Sequence, residues 1–223
     1  MIPRQHLATA SVPGGSELKL YCRGSDFMIV LGGNELMNSR MSGSEEALAT
    51  ITCEQLEGRR APHLLIGGYG MGFTLRAALD ALGPDAILTV AELVPEIIDW
   101  ALGPMAQLTG NCLDDARVRL VTADVAELIA AGRSNYDAIL LDVDNGPEGL
   151  TRLQNDRLYS RYGLQTAKAA LRPGGILAIW SAAPDSAFTR RLGEAGFAVE
   201  TVAVRARQNG KGPRHTIWLA TKR

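Results

Sequence analysis

The sequence predicts an α/β protein: a seven-stranded, doubly wound sheet with a reversed C-terminal β-hairpin, preceded by a small antiparallel β subdomain. Three observations lead there. An apolar run meets four glycines and turns helical over Leu64–Arg76, three successive strands each end in an acid, and the last two strands are too closely linked for a helical crossover. Residues 1–41 are assigned to the β subdomain and residues 42–223 to a nucleotide-binding domain.

In chain order, Leu7–Val12, Glu17–Cys22 and Phe27–Leu31 read as short strands broken by glycine-containing turns, the last followed by Gly32-Gly33-Asn34. Alternation of Leu18, Leu20 and Cys22 suits a half-buried antiparallel sheet. Such a sheet has open edges, so pairing with a second subunit, a homodimer, is expected. From Ser42 a helix begins, with Ser42 or Ser44 as cap and Glu45 and Glu46 in its first turn, where acids complement the helix dipole.

Leu64–Arg76 is the organising stretch. Gly67, Gly68, Gly70 and Gly72 lack the Cβ that would keep a ligand off the backbone, and Phe73, Leu75, Ala78, Leu79 and Leu82 then follow at the spacing of one buried helix face. The strand Ala86–Ala91 ends at Glu92, roughly 20 residues beyond the loop, where an α/β nucleotide site places an acid against ribose hydroxyls. Pro95 opens the next helix. Val118–Ala123 ends at Asp124 and Tyr136–Leu141 ends at Asp142. The carboxyl ends of parallel strands open onto one crevice, so Glu92, Asp124 and Asp142 should face the same ligand as the glycine loop. A helix over Tyr159–Leu171, a stop at Arg172–Gly175, a strand Ile176–Ala182, a helix Pro184–Ala195 and two antiparallel strands, Phe197–Val204 and Thr216–Ala220, complete the chain.

Composition narrows the function classes. A net charge of −1 gives no general pull toward nucleic acid or an anionic membrane, so a small-molecule substrate is expected. No segment reaches the roughly 18 apolar residues of a membrane span, and the N-terminus lacks a signal-peptide core, so a cytoplasmic location is expected. The three cysteines are far apart and the three histidines scattered, which argues against a disulfide framework or a metal site. Phe73 stands where a dinucleotide fingerprint needs its third glycine, which argues against a dehydrogenase.

Taken together, IGGYGMGFTLR, the acid of VAELVPEII, the aspartate of VTADV, YDAILLDVDNGPEG, DRLYSR and ALRPGGILAIW resemble the spermidine synthase (polyamine aminopropyltransferase) group, which has the Rossmann-like class I S-adenosylmethionine-dependent methyltransferase fold. The resemblance implies that the four glycines lie under the donor, that Glu92 holds the ribose, that Asp124 and Val125 lie along the adenine, and that Asp142 sits near the donor sulfur. It also places Tyr159 beside the acceptor and keeps Glu46 from the family's Y-H-E stretch. Three departures fall on the chemistry. The family aspartate that takes the acceptor's proton is Asn145 here, with Asp144 one residue earlier. The loop acid that binds the amino group of decarboxylated S-adenosylmethionine is missing. Ser44 and Glu45 replace the first two residues of Y-H-E. On this basis methyl transfer from S-adenosylmethionine to a small acceptor is expected, with Asp142, Asp144 and Asn145 on the acceptor side. The alternatives are aminopropyl transfer from the decarboxylated donor and a nucleoside-binding module without catalysis.

Overall fold

The computed structural model describes residues 2–13, 16–143, 156–207 and 209–223. The first four strands, β1 (Gln5–Ser11), β2 (Glu17–Arg23), β3 (Asp26–Leu31) and β4 (Asn34–Asn38), form an antiparallel sheet in the order of the chain. The fourth strand extends the three read from sequence. Gly32 and Gly33, both at positive φ, make the two-residue turn that folds it back, a conformation that glycine pairs favour in hairpins.

Helix α1 (Gly43–Glu54) then leads into the main sheet. Ser42 occupies its N-cap position but makes no side-chain cap bond, and Ser44 lies inside the helix with its hydroxyl engaged elsewhere. The remaining elements alternate: β5 (His63–Gly67), α2 (Phe73–Ala81), β6 (Ile87–Glu92), α3 (Pro95–Leu102), α4 (Ala106–Thr109), β7 (Val118–Thr122), α5 (Val125–Ala131), β8 (Tyr136–Leu141), α6 (Asp156–Tyr159), α7 (Arg161–Ala170), β9 (Leu171–Ser181), α8 (Ser186–Glu194), β10 (Phe197–Arg205) and β11 (Arg214–Lys222). Their seven strands lie in the order β10-β11-β9-β8-β5-β6-β7, with β11 antiparallel to both neighbours, so the expected doubly wound sheet with a reversed hairpin is the observed one.

Two local differences have clear causes. The helix expected over Tyr159–Leu171 is broken at Ser160, whose hydroxyl caps α7 by accepting the Gly163 N–H at 3.1 Å. Arg172–Gly175 ends that helix as expected but lies within β9: Leu171 pairs with Tyr136 and Ile176 with Ala138, and the extra residues bulge out between them, with Gly174 at φ +66°.

Alternation along the central strands sorts their side chains onto two faces. Leu64, Ile66, Ala138, Leu140, Ile176, Ala178, Ile217 and Leu219 join one core with α1, α2, α3 and the inner face of the N-terminal sheet. Leu65, Ile139, Leu141, Leu177, Ile179 and Trp218 join the other, against α5, α7 and α8. Because Leu18, Leu20 and Ile29 belong to the first core, the N-terminal sheet packs over one half of the main sheet. Among the described residues no helix is long and apolar enough to cross a membrane.

Candidate active site

Parallel register brings the strand ends to one level. Gly67 pairs with Ala91 and with Leu141, and Glu92 with Thr122, so the residues after β5, β6, β7 and β8 emerge along a common rim. Gly68, Gly70, Glu92, Asp124, Val125 and Asp142 all line one cavity of about 180 Å³ at that rim. The three strand-end acids and the loop therefore come together as the register argument required.

The loop is fitted to its neighbours. Gly68 has φ +84°, and a Cβ there would lie 2.8 Å from the Asp142 carbonyl oxygen; Gly70 has φ +56°, and a Cβ would meet Met37 Sδ at 2.6 Å. Gly67 and Gly72 are not in the cavity wall. They pack against Val125 and the Tyr69 ring respectively.

Glu92 is buried, and each of its oxygens accepts a backbone N–H at 2.9 Å, Oε2 from Tyr69 and Oε1 from Val94. Burial pushes its carboxyl above the usual range, opposed by the backbone N–H groups aimed at it. Asp124 also holds the next helix in place, since its Oδ1 accepts the Ala126 N–H at 2.9 Å and caps α5. Asp142 keeps contact with solvent through the cavity while protein surrounds it, and desolvation raises its carboxyl to about 6.

The acceptor side differs from the resemblance-based assignment at two residues, Glu46 and Tyr159. Of the two glutamates opening α1, Glu45 lines the cavity and is buried, whereas half-buried Glu46 is not among the lining residues. The helix explains why: Ser44, Glu45, Leu48, Ala49, Thr52 and Cys53 form its buried stripe. Projecting Leu48, Ala49, Thr52 and Cys53 back one turn reaches Ser44 and Glu45, a signal present in the sequence. Ser44 Oγ donates to Glu45 Oε2 at 2.6 Å and lies 2.8 Å from His215 Nδ1 on β11. Thr74 Oγ1 lies 3.2 Å from Asp142 Oδ2 and 3.4 Å from the Glu45 carbonyl oxygen, tying the two acids to the start of α2. Desolvation, and then the Asp142 charge, push Glu45 up to about 8.

The N-terminal sheet supplies an apolar roof through Leu18, Ile29, Leu31, Leu36 and Met37. Trp180 of β9 closes another side; it is 8% exposed, and its indole Nε1 has no hydrogen-bond partner among the described residues. An unpaired buried donor in a cavity wall suits a ligand acceptor atom. Tyr159 lies in the opposite core, edge-on to Phe188 with ring centroids 5.7 Å apart, and is not among the cavity residues. Asp144 and Asn145 lie outside the described residues. Among the described residues no group of three metal-ligating side chains occurs.

No protein-family model matches the chain. It is 31% identical over 170 residues to the polyamine aminopropyltransferase of Corynebacterium efficiens, covering 75% of this chain and 30% of that protein. It is 31% identical over 120 residues to polyamine aminopropyltransferase 2 of Pseudomonas aeruginosa, covering 52% and 32%. Ribosomal RNA small subunit methyltransferase H of Halorhodospira halophila is 31% identical over 169 residues, covering 68% of this chain and 48% of that one. The matches thus span about a third of the length of these two aminopropyltransferases. Among solved structures, spermidine synthase from Thermotoga maritima superposes with a TM-score of 0.77 at 18% identity over 98% of this chain and 73% of that chain. The same figures hold for a spermidine synthase in complex with the transition state analogue AdoDATO. In fold, then, and in local sequence, this chain is similar to the spermidine synthases and polyamine aminopropyltransferases.

Proposed function

We propose that the cavity binds a sulfonium nucleoside of the S-adenosylmethionine type and that the protein transfers an aminopropyl group from the decarboxylated donor to an amine. One observation carries the choice of donor. Glu45, Glu92, Asp124 and Asp142 line the cavity, and among the described residues no lysine, arginine or histidine lines it. An intact donor's carboxylate would meet acids and no cation, whereas the ammonium of the decarboxylated donor would meet acids. The named aminopropyltransferase relatives support the same choice.

In this reading the cavity side of Glu92 holds the ribose, Asp124 and Val125 flank the base, and Asp142 faces the reacting carbon. The sulfonium is already a good leaving group, so the protein supplies alignment and a dry wall. The roof of Leu31, Leu36 and Met37 provides the wall. Asp144 and Asn145 belong to the acceptor side by resemblance alone. A homodimer through an edge of the N-terminal sheet and a cytoplasmic setting belong to the same proposal.

Methyl transfer, the reading the sequence favoured, keeps support from two observations: Tyr69, Gly70 and Met71 put no carboxylate in the loop, and one relative is a methyltransferase. The test is calorimetric titration with S-adenosylmethionine, its decarboxylated form, methylthioadenosine and NAD, followed by mass spectrometry of amine products. Tighter binding of the decarboxylated donor, with an aminopropylated product, is expected. Preference for intact S-adenosylmethionine would reverse the assignment, and binding without turnover across amine panels would favour the nucleoside-binding module.

A further inference from the structure

Glu45 is not one of the strand-end acids, yet it shares their cavity and is tied to a histidine 170 positions away. Ser44 Oγ stands between them, 2.6 Å from Glu45 Oε2 and 2.8 Å from His215 Nδ1. Ser44 is fully buried, and the Trp180 ring lies edge-on to His215 at 4.8 Å, so the link is shielded where it leaves the cavity. His215 itself is half-exposed. The three side chains form an unbroken hydrogen-bonded line from the cavity to a group in contact with solvent.

We propose that Glu45 takes the proton released by the acceptor amine and that Ser44 and His215 carry it out of the cavity. This assignment rests on the transferase reading above. An N–H bond of the acceptor ammonium breaks and its proton goes to a Glu45 oxygen. The freed electron pair forms the new bond to carbon while the carbon–sulfur pair departs on sulfur. Once Glu45 is protonated the Ser44 hydroxyl turns from Glu45 to the unprotonated Nδ1 of His215; the Glu45 proton then passes to Ser44 Oγ as the hydroxyl proton passes to Nδ1, and solvent takes a proton from Nε2 of the resulting imidazolium. No other reactant is needed.

The groups facing Glu45 favour such a role. Asp142 approaches from the end of β8, His215 from β11 and Glu46 from the same helix, while α2 presents Thr74 and β9 presents Trp180. On β10, Glu200 reaches only the far end of α1, at Gln55. Two carboxyls in one dry site share their ionisation, so Glu45 titrates near neutrality, where a group both accepts and gives up protons readily. His215 is pushed the other way by burial, toward the neutral ring that can receive a proton.

The test is titration of the three histidines by ¹⁵N nuclear magnetic resonance, alongside single-turnover transfer from decarboxylated S-adenosylmethionine to butane-1,4-diamine, propane-1,3-diamine and benzylamine. His215 ring shifts are expected to carry a second step as Glu45 ionises, lost in Glu45→Gln and in Ser44→Ala. In the transfer assay, Glu45→Gln should slow the reaction about 100-fold or more, the scale of a general base. Methylthioadenosine affinity should stay within threefold, and His215→Asn should displace the pH–rate profile. If Ser44→Ala does not fold, His215→Asn breaks the same line from its other end. His215 shifts indifferent to Glu45→Gln would overturn the proton path, as would an unchanged pH profile in His215→Asn. Failure of the wild-type protein to bind methylthioadenosine would instead sink the transferase reading, and the titration would still decide whether the line conducts.

Discussion

Replacing Glu92 with alanine separates the scaffold role of this carboxylate from its proposed role at the ribose. An ionised carboxylate offers about four lone-pair directions. Two accept the Tyr69 and Val94 N–H groups, each at 2.9 Å, with the Gly70 and Leu93 N–H groups also directed at the carboxylate, and its cavity side is where the vicinal hydroxyls of a ribose would bind. Hydrogen bonds to a charged group contribute about 1.5–3 kcal/mol, so methylthioadenosine affinity should fall roughly 10- to 150-fold in Glu92→Ala. The scaffold cost is separate. Two amides lose their acceptor at about 1–3 kcal/mol each, offset in part because a costly buried charge is removed with them. Calorimetric titration reads the first quantity and the urea midpoint the second. Glu92→Gln is the control, since it keeps the shape but points an N–H₂ toward one of the two amides. A Glu92→Ala protein that binds methylthioadenosine within twofold of wild type would refute the placement of this residue at the ribose.

Three further outcomes follow from particular contacts. Gly68→Ala forces a Cβ to within 2.8 Å of the Asp142 carbonyl at φ +84°, a strained position worth about 1–3 kcal/mol; a lower melting temperature and at least tenfold weaker methylthioadenosine binding are expected. For Glu45, the folded-state value near 8 lies above the ordinary 4.5, so the native state holds the proton more tightly than the unfolded chain. Its stabilising contribution is therefore fully present below about pH 4.5 and is lost as pH rises through about 8, and Glu45→Gln should flatten urea midpoints across that window. Asp137, buried at the other end of β8, accepts from Arg59 Nη1 at 2.7 Å, Arg172 Nη1 at 2.5 Å and the His63 N–H at 2.8 Å. Asp137→Ala should cost about 3 kcal/mol in urea unfolding, the low end for a broken buried pair because both arginines reach solvent; donor affinity should stay unchanged.

What the sequence made legible is what strand geometry determines. Glu92, Asp124 and Asp142 could be placed on one rim because each ends an apolar run, and parallel strands deliver their ends to the same side of a sheet. The reversed hairpin was readable because the eight residues between Arg205 and Arg214 cannot hold a crossover helix. The roof was not readable: nothing local in Leu31, Leu36 or Met37 indicates that the sheet bearing them lies over Gly70. The contact of Met37 with that glycine is a tertiary fact. Tyr159 read as an acceptor-side residue through its match to a family position, and the break at Ser160 leaves it on Phe188 in the opposite core. The Ser44–His215 link joins α1 to the reversed strand across most of the chain, and no spacing rule reaches that far.

The shift from Glu46 to Glu45 also changes how the missing loop acid should be understood. A motif comparison places charge by position in the chain, so a loop reading Tyr69-Gly70-Met71 looks like a site that has lost its means of rejecting a donor carboxylate. In the folded molecule charge acts through the shared cavity, and one step along a helix is a rotation of about 100°, enough to move a carboxylate from the half-exposed flank onto the wall. Glu45 stands on that wall beside Asp142 with the apolar roof above it. A low-dielectric enclosure makes each charge act over a longer range than it would in water. In the proposed reading, selection against a carboxylate therefore does not require the acid to sit in the glycine loop; it requires negative charge in the same enclosure, which Asp142 supplies near neutral pH and to which Glu45 adds as pH rises through about 8 or as a ligand ammonium draws off its proton.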